Sequence, residues 1–308
     1  MSGQGRAAVA VSVNDRLRSV ARKMPGDPNL NNQMVYSRYV YERMMARLER
    51  TSAAGRWVLK GGALMLVLPC QSVHRMTLDM DWSSRQCADL SVTGCLQEIC
   101  SVVPDPEDGM SYELITEGND APRVIREDSA QPTVRAKLIA VLHCPRPNER
   151  RFVVDVTEAQ LAFEPVIREW PPTIRGFESL MVPSYPWELV LAEKLHAILT
   201  GSMANPRLRD YMDVIALSRS GVVESATAAD FIVRVFEARG DSGRQYEEAP
   251  VGLTQAFADA RQKDWSGTLA RTGLAGEMHA SLADAIAEVT AIAEPLLAAT
   301  APAPALCR

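Results

Sequence analysis

The chain has 308 residues, of which 47% are hydrophobic and 23% charged, with a formal net charge of −5. This is ordinary globular composition with room for two cores, and it argues against a general nucleic-acid binder. No apolar run approaches the roughly 20 residues that a membrane helix needs.

The opening "MSGQGRAAVAVSVNDRLRSV" has an early acid and no long apolar stretch, unlike a secretory signal, so a cytoplasmic protein is expected. Charge is unevenly spread. Residues 1–60 carry 11 Lys/Arg against 4 Asp/Glu, whereas the other 248 residues carry 22 against 34. A basic end of this kind can attract a polyanion. Within it, "YERMMARLER" places Arg43, Arg47 and Arg50 on one helical stripe and Val40, Met44 and Leu48 on another. The arginine stripe reads either as a solvated face over a packed one or as an RNA contact.

"RWVLKGGALMLVLPC" predicts a strand over 56–60, a Gly61-Gly62 turn, and a short buried helix over 63–68 stopped by Pro69. The strand "HRMTLDMDW" follows, then an amphipathic helix near 90–103 and the acidic loop "VPDPEDG". Three strands are predicted in "YELITEG", "TVRAKLIAVL" and "RRFVVDVTEA". The proline-rich passage "EWPPTIRGFESLMVPSYP" reads as a linker and domain boundary. Helices are expected beyond it, over 187–199, 206–218 and 228–238, with others to 297. The fold class is therefore α+β (α/β). Residues 1–180 form a mixed-sheet domain with basic N-terminal helices, 181–298 a helical domain, and 299–308 a disordered Ala/Pro tail.

Six cysteines, at 70, 87, 95, 100, 144 and 307, form no CxxC pair and have no histidine at ligand spacing. They read as thiols in a reducing compartment, not as a disulfide framework or zinc site. Carboxylates are more informative. Asp79 and Asp81 are two apart in a strand, so both project from one face, while Leu78, Met80 and Trp82 occupy the other. Asp155 stands alone among the apolar residues of "RFVVDVT". Glycines at 61 and 62 would let backbone N–H groups approach a phosphate. Acids of this kind suit Mg²⁺, which is typically held by one or two carboxylates together with substrate phosphates. The chemistry they point to is nucleotidyl transfer from a nucleoside triphosphate.

The blocks "KGGALML", "RMTLDMD", "FVVDV", "ELVLAEKLHAI" and "RLRDYMDV" resemble the AbiEii/MenT group of bacterial toxin nucleotidyltransferases, within the polymerase-beta-like superfamily. The resemblance spans about residues 56–220, with a weaker echo in "FADARQKDW". It implies a polymerase-beta-like nucleotidyltransferase domain that is the toxic half of a toxin–antitoxin pair. Such a toxin adds nucleotides to the 3′ end of tRNA, blocks its charging, and is restrained by a cognate antitoxin. It also implies that Lys194 and Asp210 act beside the paired acids. Lys194 would neutralise the triphosphate, and Asp210 would orient Lys194 or assist deprotonation of the acceptor hydroxyl.

Metal ligands would be Asp79, Asp81 and Asp155, with Gly61 and Gly62 cradling the triphosphate. Ala63 stands where a small hydroxyl residue often follows the glycines in the superfamily. Read from the residues alone, Lys194 could instead form a structural ion pair with Asp210 or Asp213 between two helices, with Asn205-Pro206 opening the second. Arg207 and Arg209 could contact phosphate or RNA, or be exposed charges. Two further readings stay open: transfer to a protein hydroxyl (AMPylation), and a nucleotide-binding regulator without turnover.

Overall fold

The computed structural model describes residues 3–69, 77, 79–85, 91–125, 132–159, 161–204, 207–241 and 250–300. The chain divides into two compact units, one of Met1–Val67 with Met76–Tyr185, the other of Leu68–Arg75 with Pro186–Arg308.

The first unit opens with two helices, α1 (Gly3–Arg22) and α2 (Pro28–Leu48). Asp27 caps α2 by accepting from the Asn29 and Leu30 amides, and Pro28 takes the first helical position, where no N–H is needed. Then come β1 (Trp57–Lys60), the short α3 (Gly61–Leu64), β2 (Asp79–Ser84) and α4 (Val92–Ser101). Six strands complete the unit: β3 (Met110–Leu114), β4 (Arg123–Ile125), β5 (Thr133–Leu142), β6 (Asn148–Glu158), β7 (Val166–Trp170) and β8 (Leu180–Ser184). They form one mixed sheet in the order β3-β5-β6-β2-β1-β8-β7, with β4 also pairing β5. β2 runs parallel to β6, and β1 parallel to β8; the other pairs are antiparallel.

Period-2 alternation gives the sheet two unlike faces. Met80, Trp82, Ala136, Leu138, Phe152, Val154 and Val156 are buried on one of them. Helix α2 packs on this face, with the Tyr41 ring 5.7 Å from Phe152 and the Tyr112 hydroxyl donating to the Val40 carbonyl at 2.6 Å. The other face carries Asp79 and Asp81 of β2, Arg135 and Lys137 of β5, and Glu149, Arg151 and Asp155 of β6.

Two expectations change here. The arginine stripe of α2 is mostly internal. Arg47 is 2% exposed and donates to both Asp108 carboxylate oxygens, at 2.6 and 3.0 Å, and to the Met110 carbonyl. Arg43 pairs with the wholly buried Glu42 and lies over the Phe177 ring. Arg50 is exposed and donates to the Asp105 carbonyl. Arg43 and Arg47 are thus cross-links within the fold and offer no face to RNA.

The second change concerns the proline-rich passage. It carries the end of β7 and all of β8, and Glu42 accepts from its Thr173 amide at 2.6 Å. β8 therefore crosses the boundary expected at 180/181, and the sheet-bearing unit continues through Tyr185.

Removing one partner of a buried pair strands the other charge. Arg47→Met should cost about 3–5 kcal/mol of stability, read as a fall in melting temperature, while RNA affinity of the folded variant stays unchanged. Wild-type stability with lost RNA affinity would return Arg47 to an interface role.

The second unit is helical: α5 (Trp187–Leu199), α6 (Leu208–Ser220), α7 (Ser225–Ala238), α8 (Gln255–Thr272) and α9 (Leu282–Thr300). Gly221 ends α6 in the left-handed conformation that glycine adopts without strain, and the Glu224 carboxylate caps α7. Helix α9 runs through 299 and 300, where a disordered tail was expected; 301–308 lie outside the described residues. So do Asn205 and Pro206, and Cys70, Cys87 and Cys307; Cys100 and Cys144 are free thiols. No helix among the described residues is long and apolar enough to cross a membrane.

Between α5 and α7, the protonation of His196 is set by its partners. Arg239 approaches Nδ1 at 2.9 Å and can only donate, so Nδ1 accepts and Nε2–H donates to Asp241 at 2.7 Å. The ring is neutral in the fold. Burial pushes its pKa down; the Asp241 bond opposes this, and Arg239 reinforces it. The unfolded chain then takes up a proton more readily than the folded one, so stability should fall as pH drops below the ordinary histidine value of about 6.5. Thermal melts across that range should show this slope, and His196→Gln should flatten it. An unchanged slope would assign the acid sensitivity to other groups.

Candidate functional site

β1 delivers the chain to Gly61, whose φ of +64° lies in the left-handed region. The spatial reason for glycine is close by. A Cβ on residue 61 would fall 2.1 Å from Oδ2 of Asp81, so the carboxylate sits in the space a side chain would fill. Gly62 is buried behind it in α3. Lys60 stands opposite Asp81 in the β1–β2 register, its ammonium 5.6 Å from the centre of the Tyr185 ring.

The registers align the acids. Asp81 pairs with Asp155 across β2 and β6, so these side chains share a face, and Asp79 lies two residues along β2 on the same face. Asp79 and Asp81 are half-buried, and the Thr77 hydroxyl donates to Asp79 Oδ1 at 2.7 Å, fixing that carboxylate's orientation. Asp155 is differently engaged. Arg135, opposite it on β5, donates Nε to Oδ1 at 2.8 Å and a terminal nitrogen to Oδ2 at 2.6 Å. Both oxygens of the third acid are therefore occupied by a guanidinium fork. In turn, the Asp155 bond, with the charges of Asp79 and Asp81 behind it, raises the pKa of Arg135. Among the described residues, no group of three or more His, Cys, Asp or Glu side chains stands ready to hold a metal.

The donor set still fits a hard divalent cation. Two carboxylates at alternate positions of one strand, half-exposed and held by a rigid sheet, match the one or two carboxylates by which Mg²⁺ is commonly held together with substrate phosphates. Asp155 could join them only by giving up Arg135.

The helical unit carries the other two candidates. The Lys194 ammonium, 9% exposed on α5, bonds Asp210 at 2.6 Å and Asp213 at 2.8 Å, both on α6. The second oxygen of Asp210 accepts from Arg207 Nε at 2.6 Å. Two cations and two anions thus form a chain that joins the start of α6 to α5. The ion pair that the residues alone allowed is present, and it involves both acids at once.

Arg135 is the residue that sequence reading missed. Its signal lies in "TVRAKL", where Arg135 and Lys137 take alternate places in an otherwise apolar strand and so complement the alternate acids of β2.

The sheet-bearing unit therefore offers a glycine-backed carboxylate pair with a third acid in register, and the helical unit, by itself, a charged helix pair. Comparison with known proteins gives the chain a family. The chain is similar to the nucleotidyltransferase toxin MenT4 from Mycobacterium tuberculosis H37Rv, at 16% identity and a TM-score of 0.48, over 96% of this chain and 99% of that one. No curated protein matches it. The profile described as "Nucleotidyl transferase AbiEii toxin, Type IV TA system" matches residues 43–288, most of the chain, and on that match the chain belongs to the AbiEii nucleotidyltransferase toxin family.

Proposed function

We propose that the chain is an Mg²⁺-dependent cytoplasmic nucleotidyltransferase that transfers a nucleotide from a nucleoside triphosphate to the 3′ end of tRNA, blocks its charging, and is restrained by a cognate antitoxin. The observation that carries this reading is the carboxylate pair Asp79 and Asp81, with Asp81 seated against Gly61 and in register with Asp155. Family membership supplies the toxin, the triphosphate and the antitoxin.

A bound Mg²⁺ would neutralise phosphate charge and hold the reacting oxygens in line. The chain's own residues do the rest. Asp79 and Asp81 present oxygens from a strand that cannot reorient without disturbing the sheet. Thr77 fixes the angle of the first, and Gly61 leaves room for the second. Lys194 and Asp210 carry the roles that the family resemblance gives them: charge neutralisation at the triphosphate, and orientation of Lys194 or deprotonation of the acceptor hydroxyl.

With Arg43 and Arg47 internal, support for a nucleic-acid acceptor shifts to the sheet. Arg123, Arg135, Lys137 and Arg151 lie on β4, β5 and β6, on the same face as the acids. A polyanion laid there would meet positive charge beside the carboxylates. Purified protein incubated with total tRNA and each labelled triphosphate, with and without Mg²⁺, tests the reading. Label on tRNA 3′ ends that requires Mg²⁺ supports it. Label on protein alone would replace the acceptor, and no transfer with any triphosphate would overturn the enzyme.

A further inference from the structure

Arg135 is 40% exposed at its side chain, and Asp155, which it grips, is 13% exposed. The cation therefore lies outermost and the acid beneath it. Asp155 stands beside Asp81 on the neighbouring strand, so three carboxylates share one patch of the sheet. Like charges this close repel, and a counter-charge offsets that repulsion. At Asp155 Arg135 supplies it, and its fork takes both oxygens of Asp155 in a charge-assisted pair.

From this geometry we infer that Arg135 is a built-in stand-in for a metal ion: it holds Asp155 out of the metal site until metal and substrate arrive together, so that the third acid is a conditional ligand and Arg135 a positioning residue. The inference rests on the reading of Asp79 and Asp81 as metal ligands. It follows from an exclusion. A carboxylate whose two oxygens both accept from one guanidinium cannot ligate a cation in the same geometry, and two cations cannot share so small a patch without strong repulsion. The exposed member of the pair is the one free to move. Once displaced from Asp155, Arg135 stays on the acid-bearing face of the sheet.

The test uses the full chain and two probes. Mn²⁺ titration without nucleotide reads affinity, and Eu³⁺ luminescence lifetimes in H₂O and D₂O count the waters left on the ion. Wild type should bind Mn²⁺ through Asp79 and Asp81, with affinity lost in Asp79→Asn and little changed in Asp155→Asn. Arg135→Met should tighten Mn²⁺ binding on the order of tenfold, a change of the size known for residues that support metal ligands. It should also remove about one water from bound Eu³⁺ as Asp155 enters the coordination sphere. Adding Asp155→Asn to Arg135→Met should restore both readings.

Tighter binding with an unchanged water count would show a field effect alone and overturn the inference, as would unchanged affinity. If no variant binds either ion, the metal reading falls and the inference with it, whereas binding that needs Asp79 but ignores Arg135 sinks the inference alone. Should Arg135→Met not fold, Arg135→Lys serves: it keeps the charge but has no planar fork, and should move both readings in the same direction by less.

Discussion

Asp79→Ala, Asp81→Ala and Gly61→Ala should each reduce nucleotidyl transfer by about a thousandfold or more, for two different physical reasons. The aspartates supply the oxygens from which a metal would be held, and several kcal/mol of transition-state stabilisation goes with that ion, which is a loss of about 10³ or greater in rate. Their removal should spare the fold. Each substitution relieves repulsion in a patch of three carboxylates, so the melting temperature in metal-free buffer should hold or rise, apart from the small loss of the Thr77 bond in Asp79→Ala.

Gly61→Ala acts through space. Its Cβ would lie 2.1 Å from Asp81 Oδ2, and a φ of +64° is itself unfavourable for alanine by about 1 kcal/mol or more. The carboxylate must move, so activity should fall together with stability. The double variant Gly61→Ala with Asp81→Ala separates these effects in part, because it removes the 2.1 and 2.7 Å approaches to the carboxylate and leaves the 2.8 Å approach to the residue-81 Cβ. It should recover part of the lost melting temperature and stay inactive. Full activity of any single aspartate variant in Mg²⁺ would end the metal assignment. A stable, active Gly61→Ala would show that Asp81 need not hold its observed position.

How much of this was legible in the sequence depends on how each feature is encoded. Strand β5 follows the predicted span 133–142 because its half-buried and buried residues alternate from Arg135 to Leu142. The parallel pairing of β2 with β6, which brings Asp81 beside Asp155, joins segments about 70 residues apart, and no local pattern announces it. Helical periodicity separated the stripes of α2 correctly but could not say which was internal. The helix is covered on nearly every side, so its arginines are buried with their partners, and the partner of Arg47 lies in a loop 61 residues away. Prolines suggested a linker at 169–186, yet Leu180, Val182 and Ser184 are buried at alternate places, a strand signal present in "LMVPS" and outweighed by the punctuation around it. The acids were readable because a charge in an apolar strand is costly wherever it lies. The arginine that offsets one of them was not singled out, because its partner lies on another strand.

Lys194→Met should abolish transfer and also cost about 3–5 kcal/mol of stability, because it takes the ammonium away from the buried Asp210 and Asp213 and leaves Arg207 paired with Asp210. A fall in activity alone therefore cannot distinguish a lysine that meets phosphate from one that pins α5 to α6. The acids supply the distinction. Asp213 is 1% exposed and bonds the ammonium directly, so Asp213→Asn in the Lys194→Met background removes the stranded charge and keeps an amide of the same shape. Stability should return in large part, since replacing both members of a buried pair costs far less than removing one. If Lys194 acts on the triphosphate, transfer should not return with the fold, and nucleotide titration of the double variant should stay weak. A pair that only orients the helices predicts the reverse: activity and melting temperature recover together, and nucleotide affinity in the folded protein never changes. Asp213→Asn alone completes the argument. It leaves Lys194 with Asp210, so it should lower stability modestly and keep transfer, whereas Asp210→Asn, which also releases Arg207, should lose transfer if Asp210 is the partner that orients the lysine.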